Sequence, residues 1–428
     1  MPDVVESAEM IAIEDIVSQV ERLRDEIVEL ARELVSVNTV NPYSGEEGSP
    51  GERAGQELLA QKLRELAVEP HLFEPRAGIF ERFGILGPPG RQYANRPNVV
   101  ATFDFGTGPT VILNSHMDTV GVTGMTVEPF GAKLEDGRIY GRGSSDSKGN
   151  VALVYGVVKA LRAFGSELSG KVVFESVVDE ECSGCGAGSL ACIEAGYRGE
   201  YAVFVDGSGL EISRGCYGCC TARCVVKGLP GHGSYTRAVS AIDKAFVVKK
   251  VIDRFGRARL RPDKNAFTNV GVFRAGTQPS IVPARAEMLV NLTYSLREAG
   301  KALDGTRVMK RFEDAVAKGS AKDDWLDENP PEVSWLKDLQ PFAIPEDARL
   351  VAELRAAYRA ALGREARVVV MSGWNDASWF HRFTGAETVL FAAGAPGSAH
   401  TAGEYVVVDD MVNGAKVLAV LLWSLLRR

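Results

Sequence analysis

The chain has 428 residues, 45% of them hydrophobic and 25% charged, with a formal net charge of −7. That length exceeds one core and predicts two or three domains of an ordinary globular protein. The acidic balance argues against nucleic-acid binding, which uses a basic face, and no apolar run approaches the eighteen or so residues of a membrane helix.

The first ten residues, MPDVVESAEM, lack the basic-then-apolar pattern of an export signal, so a cytoplasmic location is expected. Residues 13–37 carry apolar side chains at three- and four-residue steps and predict one amphipathic helix, followed by loop signals and a second helix over 51–68. From 98 onward the rhythm is that of an α/β sheet: strand 98–105, strand 110–118, a hairpin over 132–143, helix 150–165, and strands 171–181 and 200–206. Such β-branched strands alternating with helices predict a mixed, mostly parallel sheet covered on both faces. The pattern changes near 218. Strand 219–228, helix 238–255, strands 267–273 and 286–294, a charged helix over 297–319 and a weak strand at 331–336 follow the ferredoxin-like order. This stretch reads as an inserted α+β unit over 218–338, interrupting a larger α/β domain made of 1–217 and 339–428. The second half of that domain contributes helix 346–362, strand 366–371, helix 375–382, strand 387–393 and a last helix 411–428.

Five histidines are few enough to weigh singly. His71 lies in a strand-like run with no acidic cluster beside it, and His381 sits among aromatics at a helix end; both read as structural. His116 ends an apolar strand as His-Met-Asp with Asp118, where open α/β sheets bind their ligands. A histidine there can bind metal through one ring nitrogen while a carboxylate fixes the other. Asp146 stands at the entry to a helix, where capping is the bland alternative. Glu180 and Glu181 follow a strand end and, being adjacent, need a compensating cation. Asp206 ends another strand, and His400 follows a Gly-rich turn after a fifth. Five strand or loop ends delivering metal-type ligands point to a dinuclear centre. Two Zn²⁺ are neutralised by Asp146, Glu181, Asp206 and one hydroxide, with His116 and His400 neutral and four ligands at each metal. Glu180 is left as the general base of an amide hydrolysis.

The motifs HMD at 116–118, GRGSSDSKG around Asp146, DEE at 179–181, Asp206, GHGS around His232 and AHTAGE around His400 resemble the M20 metallopeptidase family, from about residue 30 to 425. The resemblance implies a zinc-peptidase-type catalytic domain interrupted by a ferredoxin-like lid through which the chain forms a homodimer. It implies two Zn²⁺ per chain, replaceable by Co²⁺ or Mn²⁺. His116 and Asp206 go to one metal, Glu181 and His400 to the other, and Asp146 bridges them. Glu180 becomes the base and Asp118 the orienter of His116, and the Asp146–Ser147 peptide is a candidate cis bond. His232 corresponds to a lid histidine that stabilises the oxyanion, often in the partner's site; loss of such a donor typically costs roughly 10²–10³ in turnover. The expected substrate is a small N-acyl amino acid or short peptide. The family arginine that grips a substrate carboxylate is replaced here by Thr293, with Arg274, Arg285 and Arg297 nearby. The segments 394–398 and 372–376 resemble regions that line the pocket, which Trp374 would narrow. Aspartate rather than glutamate at 206 leans toward the aminopeptidase- and dipeptidase-like relatives.

Two rival readings remain. All seven cysteines fall between 182 and 224, and the pairs 182/185 and 216/219 have the spacing of a structural zinc or iron–sulfur site, with buried thiols and disulfides as alternatives. That reading makes the chain a cysteine-cluster metal-binding protein without hydrolase activity. A metallo-dipeptidase of the same family is the other. Neither the nucleophile elbow of serine hydrolases nor a phosphate-binding glycine loop occurs.

Overall fold

The computed structural model describes residues 12–207, 209–234 and 237–428; the N-terminal stretch read for an export signal lies outside the described residues. Helices α1 (Ile13–Arg22) and α2 (Arg24–Ser36) occupy the stretch read as one helix. The chain turns at Leu23, whose amide bonds back to Val20 O at 3.0 Å. The break lets Ile16 and Val20 from one helix and Ile27 and Leu34 from the other reach the same core.

Next come α3 (Arg53–Glu65), β1 (His71–Phe73), α4 (Ile79–Arg82), β2 (Asn98–Asp104), β3 (Thr110–His116) and the hairpin of β4 (Lys133–Glu135) and β5 (Arg138–Tyr140). They are followed by α5 (Lys148–Arg162), β6 (Lys171–Val177), α6 (Ala187–Glu194), β7 (Tyr201–Phe204) and β8 (Ile212–Cys216). The middle of the chain forms β9 (Gly218–Lys227), β10 (Gly231–His232), α7 (Ala241–Leu260), β11 (Thr268–Ala275), β12 (Ile281–Val282) and β13 (Arg285–Tyr294). It continues with α8 (Thr306–Ser320), α9 (Asp324–Glu328) and β14 (Glu332–Leu339). The last stretch holds β15 (Phe342–Ala343), α10 (Arg349–Leu362), β16 (Val368–Met371), α11 (Ala377–Thr384), β17 (Glu387–Leu390), β18 (Tyr405–Val407) and α12 (Val408–Leu426).

The main sheet is ordered β1-β2-β6-β3-β7-β17-β8-β15, with β16 joined to β8. Its centre, β6, β3, β7 and β17, is parallel throughout. Both faces are covered, as such strands require. On β6, Val172 and Phe174 enter the layer built by α1, α2, α5, α10 and α12, while Val173 and Val177 enter the layer of α6 and α11. Helix α12 is buried nearly all round, yet no helix among the described residues is long and apolar enough to cross a membrane.

A second sheet, ordered β11-β13-β9-β14, is antiparallel throughout and carries α7 and α8 on one face. Val248, Ile252, Val290 and Phe312 belong to its separate apolar core. The charged helix read from 297 starts only at Thr306. Before it the chain turns through Gly300 N–H to Asp304 O at 2.7 Å, and the Asp304 carboxylate caps Thr306 N.

Candidate active site

The strand order explains how distant residues meet. The parallel strands β6, β3, β7 and β17 end side by side; His116 is the last residue of β3, and Glu180–Glu181, Asp206 and the loop leading to His400 follow the others. Asp146 arrives from the turn before α5, across a cis Asp146–Ser147 peptide.

The two Asp146 oxygens face different histidines: Oδ1 lies 2.9 Å from His116 Nε2 and Oδ2 lies 3.3 Å from His400 Nε2. His400 Nε2 also lies 2.6 Å from Glu181 Oε1. Donor atoms of His116, Asp146 and Glu181 all fall within 4.8 Å of one another. His116 and Glu181 are buried, and His400 is about half exposed. Asp206 is half-buried at the end of β7, and its Oδ2 accepts from Asn375 Nδ2 at 2.6 Å.

The electrostatics of this group are short of positive charge. Burial pushes the Glu181 carboxyl up to about 7 and that of Asp206 up to about 6, with the Asp146 charge adding to both. Glu180 is pushed well above the usual carboxylate range, first by burial. Burial also opposes ionisation of Asp146, but hydrogen bonds from His116 and His400 hold it well below its ordinary value. The bond to Asp146 raises His400 to about 11. Among the described residues, His116 and His400 are the groups that hold the Asp146 charge. Two imidazole nitrogens among buried carboxylate oxygens are the donor set that zinc takes, and a divalent cation would relieve the repulsion that raises Glu181 and Asp206.

The Asp118 carboxylate does more than face His116. Its Oδ1 lies 3.6 Å from His116 Nδ1, whose nearer partner is the Asp118 backbone oxygen at 3.0 Å. The carboxylate accepts the backbone N–H groups of Glu180 at 3.2 Å and Glu181 at 3.0 Å, and Asn41 Nδ2 at 2.8 Å. It thereby holds the turn that carries both glutamates. Behind that turn, Asp179 is fully buried and accepts from Arg91 Nη1 at 2.6 Å, Arg96 Nη2 at 2.8 Å and Asn41 Nδ2 at 3.1 Å. Arg96 continues to Glu52 with contacts of 2.8 and 2.5 Å.

His232 is exposed on β10, which pairs with β12 in a two-stranded sheet, with Nδ1 2.8 Å from Ser234 Oγ. Thr293 is a staple: its hydroxyl donates to Asn265 O at 2.7 Å and accepts from Phe267 N at 2.8 Å. Arg285 pairs with Glu287 at 2.7 Å. Arg297 lines a cavity of about 410 Å³ with Arg214, Lys264 and Tyr217, where the two sheet units meet. A neighbouring cavity of about 270 Å³ joins Asp206 to Ser372, Arg367 and Asn265. Trp374 packs edge-on against Trp379 at 5.5 Å. His71 bonds Tyr197 and His381 stacks on Phe342, away from the site.

The seven cysteines are all free, and six are buried. Burial pushes the Cys185, Cys216 and Cys224 thiols up to about 12. Among the described residues, the only group placed to hold a metal ion is His116–Asp146–Glu181, with no cysteine in it. The cysteine-cluster reading is therefore set aside. Sequence reasoning missed Asn41, Arg91, Arg96, Asn375 as a partner of Asp206, and Glu404. The one available signal was Glu404, a carboxylate four residues after His400 in AHTAGE.

Comparison with known proteins gives one family description, "Peptidase family M20/M25/M40", matching residues 112–424. The chain is 25% identical over 453 residues to the N-formyl-4-amino-5-aminomethyl-2-methylpyrimidine deformylase of Halalkalibacterium halodurans, covering 97% of this chain and 98% of the relative. It is 27% identical to the succinyl-diaminopimelate desuccinylase of Gluconacetobacter diazotrophicus, covering 93% and 96%. Human carnosine dipeptidase 1 shares the fold, with a TM-score of 0.74 at 16% identity over 97% of this chain and 99% of that one.

Proposed function

Because the chain belongs to peptidase family M20/M25/M40 and is a metal-dependent hydrolase of that family, we propose that it cleaves the amide bond of N-acyl amino acids or related small N-acyl amines. The observation that carries this reading is Asp146, a carboxylate whose two oxygens are turned to two different histidines, His116 and His400. In this reading His116 and Asp206 hold one metal, Glu181 and His400 the other, and Asp146 both. Divalent metals such as zinc, when bound there, supply Lewis acidity that polarises a carbonyl and acidifies water.

The rest belongs to the chain. Glu180 stands beside the cluster with its proton affinity raised by burial, so it takes the proton of the attacking water and returns it to the leaving amine. Asp118 keeps Glu180 and Glu181 in place through their backbone N–H groups. His232 stabilises the oxyanion from the lid, residues 218–338, which closes over residues 1–217 and 339–428. Strand β11 is the outer edge of the lid sheet, and exposed Phe246 and Phe273 touch beside it at 5.5 Å. Such an edge suits pairing with a second copy, so the enzyme is a homodimer. Seven unpaired cysteines agree with a cytoplasmic location.

The test is a hydrolysis screen of formyl-, acetyl- and succinyl-amines and amino acids against a dipeptide panel, with added Zn²⁺ or Co²⁺. Release of the acyl group, abolished by chelation, is expected. Cleavage confined to dipeptides with a free amine would replace this reading with a dipeptidase.

A further inference from the structure

Glu404 is fully buried, four residues beyond His400, and its carboxylate serves two loops at once. Oε2 pairs with Arg142 Nη1 at 2.5 Å. Oε1 accepts the backbone N–H of Ser145 at 3.1 Å and of Asp146 at 3.2 Å. The Glu404 backbone oxygen accepts from Gly141 N at 3.0 Å. Arg142 is 3% exposed and is itself fixed, with Nε donating to Gly121 O at 3.0 Å and its backbone N to Pro129 O at 2.8 Å. Both Glu404 oxygens and the Nε and Nη1 of Arg142 are thus engaged within the protein.

A buried ion pair is poor evidence of stabilisation, because well-packed apolar groups of similar volume often serve as well or better. What this pair does that apolar groups cannot is grip two backbone N–H groups, one of them that of Asp146 itself. The loop that delivers Asp146 and the loop that delivers His400 come from sequence positions more than 250 apart, and Glu404 is a direct tie between them. We infer that the Arg142–Glu404 pair is a positioning device, which sets the Asp146 carboxylate at its working distance from the His400 ring. The inference rests on the metal reading above and deepens it: the pair governs the metal position assigned to Glu181, His400 and Asp146 more than the position assigned to His116 and Asp206.

The substitution Glu404→Gln separates this role from simple packing. The new side chain has nearly the same shape, but one terminal group is an NH₂. In either orientation that NH₂ faces donors, either the Arg142 guanidinium or the two backbone N–H groups, so one side of the tie must open. Hydrogen-bond partners behind metal ligands typically cost about 10–100-fold in metal affinity or activity when removed.

The experiment is a zinc titration of metal-free wild type and Glu404→Gln in competition with a chromophoric chelator, paired with kcat and KM at limiting and at excess zinc. Wild type is expected to take up two zincs. Glu404→Gln is expected to keep one near wild-type affinity and to bind the other about 10–100-fold more weakly. Its kcat should fall at limiting zinc, recover in excess zinc, and leave KM unchanged, a rescue that a general packing defect would not show. Equal weakening of both zincs, or none, overturns the inference. Should Glu404→Gln not fold, Glu404→Asp keeps the charge on a side chain one methylene shorter; unchanged affinity there overturns the inference equally. Failure of the wild type to bind two zincs would sink the metal reading, and the inference with it.

Discussion

Asp179 and Glu180 are neighbours in the chain, yet they belong to two buried acidic groups of opposite character. Behind the turn, Asp179 and Glu52 are enclosed by Arg91 and Arg96, with guanidinium nitrogens 2.5–2.8 Å from carboxylate oxygens. In front of it, Glu180, Glu181, Asp146 and Asp206 face one another and two histidines, and burial drives Glu181 and Asp206 upward. The first group carries its own cations and serves as scaffold. The second has a deficit of positive charge, which the metal ions of the proposed centre would fill. Burial alone does not separate these two groups of carboxylates; the arginines committed to the first do.

The largest effect expected from this contrast is in front. Glu180→Gln should lower kcat by about 10²–10⁴ while two zincs still bind, as measured by steady-state kinetics with metal content determined in parallel. Retained turnover would remove Glu180 from the working group. Behind, the same kind of change should act on the fold instead. Asp179→Asn leaves Arg91 and Arg96 underpaired, and should cost about 3–5 kcal/mol in denaturant unfolding. If it left stability intact, the scaffold assignment would fail.

Chelation sharpens the comparison, because it touches only the front group. Stripping the metals should abolish activity and lower stability by about 2.7 kcal/mol for each metal held at a hundredfold excess over its Kd, restored by added zinc. The Asp179→Asn protein should lose the same increment.

The smallest effect concerns Glu175, which fits neither group. It is buried in β6 with Asn114 Nδ2 at 2.9 Å and, among the described residues, no cationic partner, and burial pushes its carboxyl up to about 8 from an ordinary 4.5. The folded chain then holds a proton that the unfolded chain releases. Its contribution is present below about pH 4.5 and lost as pH rises toward 8. Glu175→Gln should flatten that part of the stability–pH curve, by about 1–3 kcal/mol at its upper end. A curve unchanged by the substitution would show that Glu175 finds compensation within the fold.

Much of the site could be read from local patterns. His116 ends a strand, Glu180–Glu181 and Asp206 follow strand ends, Asp146 precedes a helix and His400 stands in a Gly-rich loop, each in a short polar motif, and the structure brings His116, Asp146, Glu181 and His400 into contact. The α/β rhythm was legible for the same reason, since strands buried on both faces write themselves as apolar runs. The partners were harder. Asn41 reaches Asp118 from 77 residues away, Asn375 reaches Asp206 from 169, and Glu404 reaches Ser145 from 259. None of these has a local periodicity or spacing to announce it. The break at Leu23 escaped as well, because both halves share one amphipathic pattern and only the core they pack against shows where the chain bends.

By itself, then, the amino-acid order determined which elements form and which chemical groups stand at their ends, because helix and strand periodicity and short polar motifs are set by neighbours within a few residues. Only the tertiary structure decided which of those groups are short of charge and which are already paired. Charge balance in a buried site depends on distances of about 3 Å between residues far apart in the chain, and the sheet order β6-β3-β7-β17 with the turn before α5 brings those groups together.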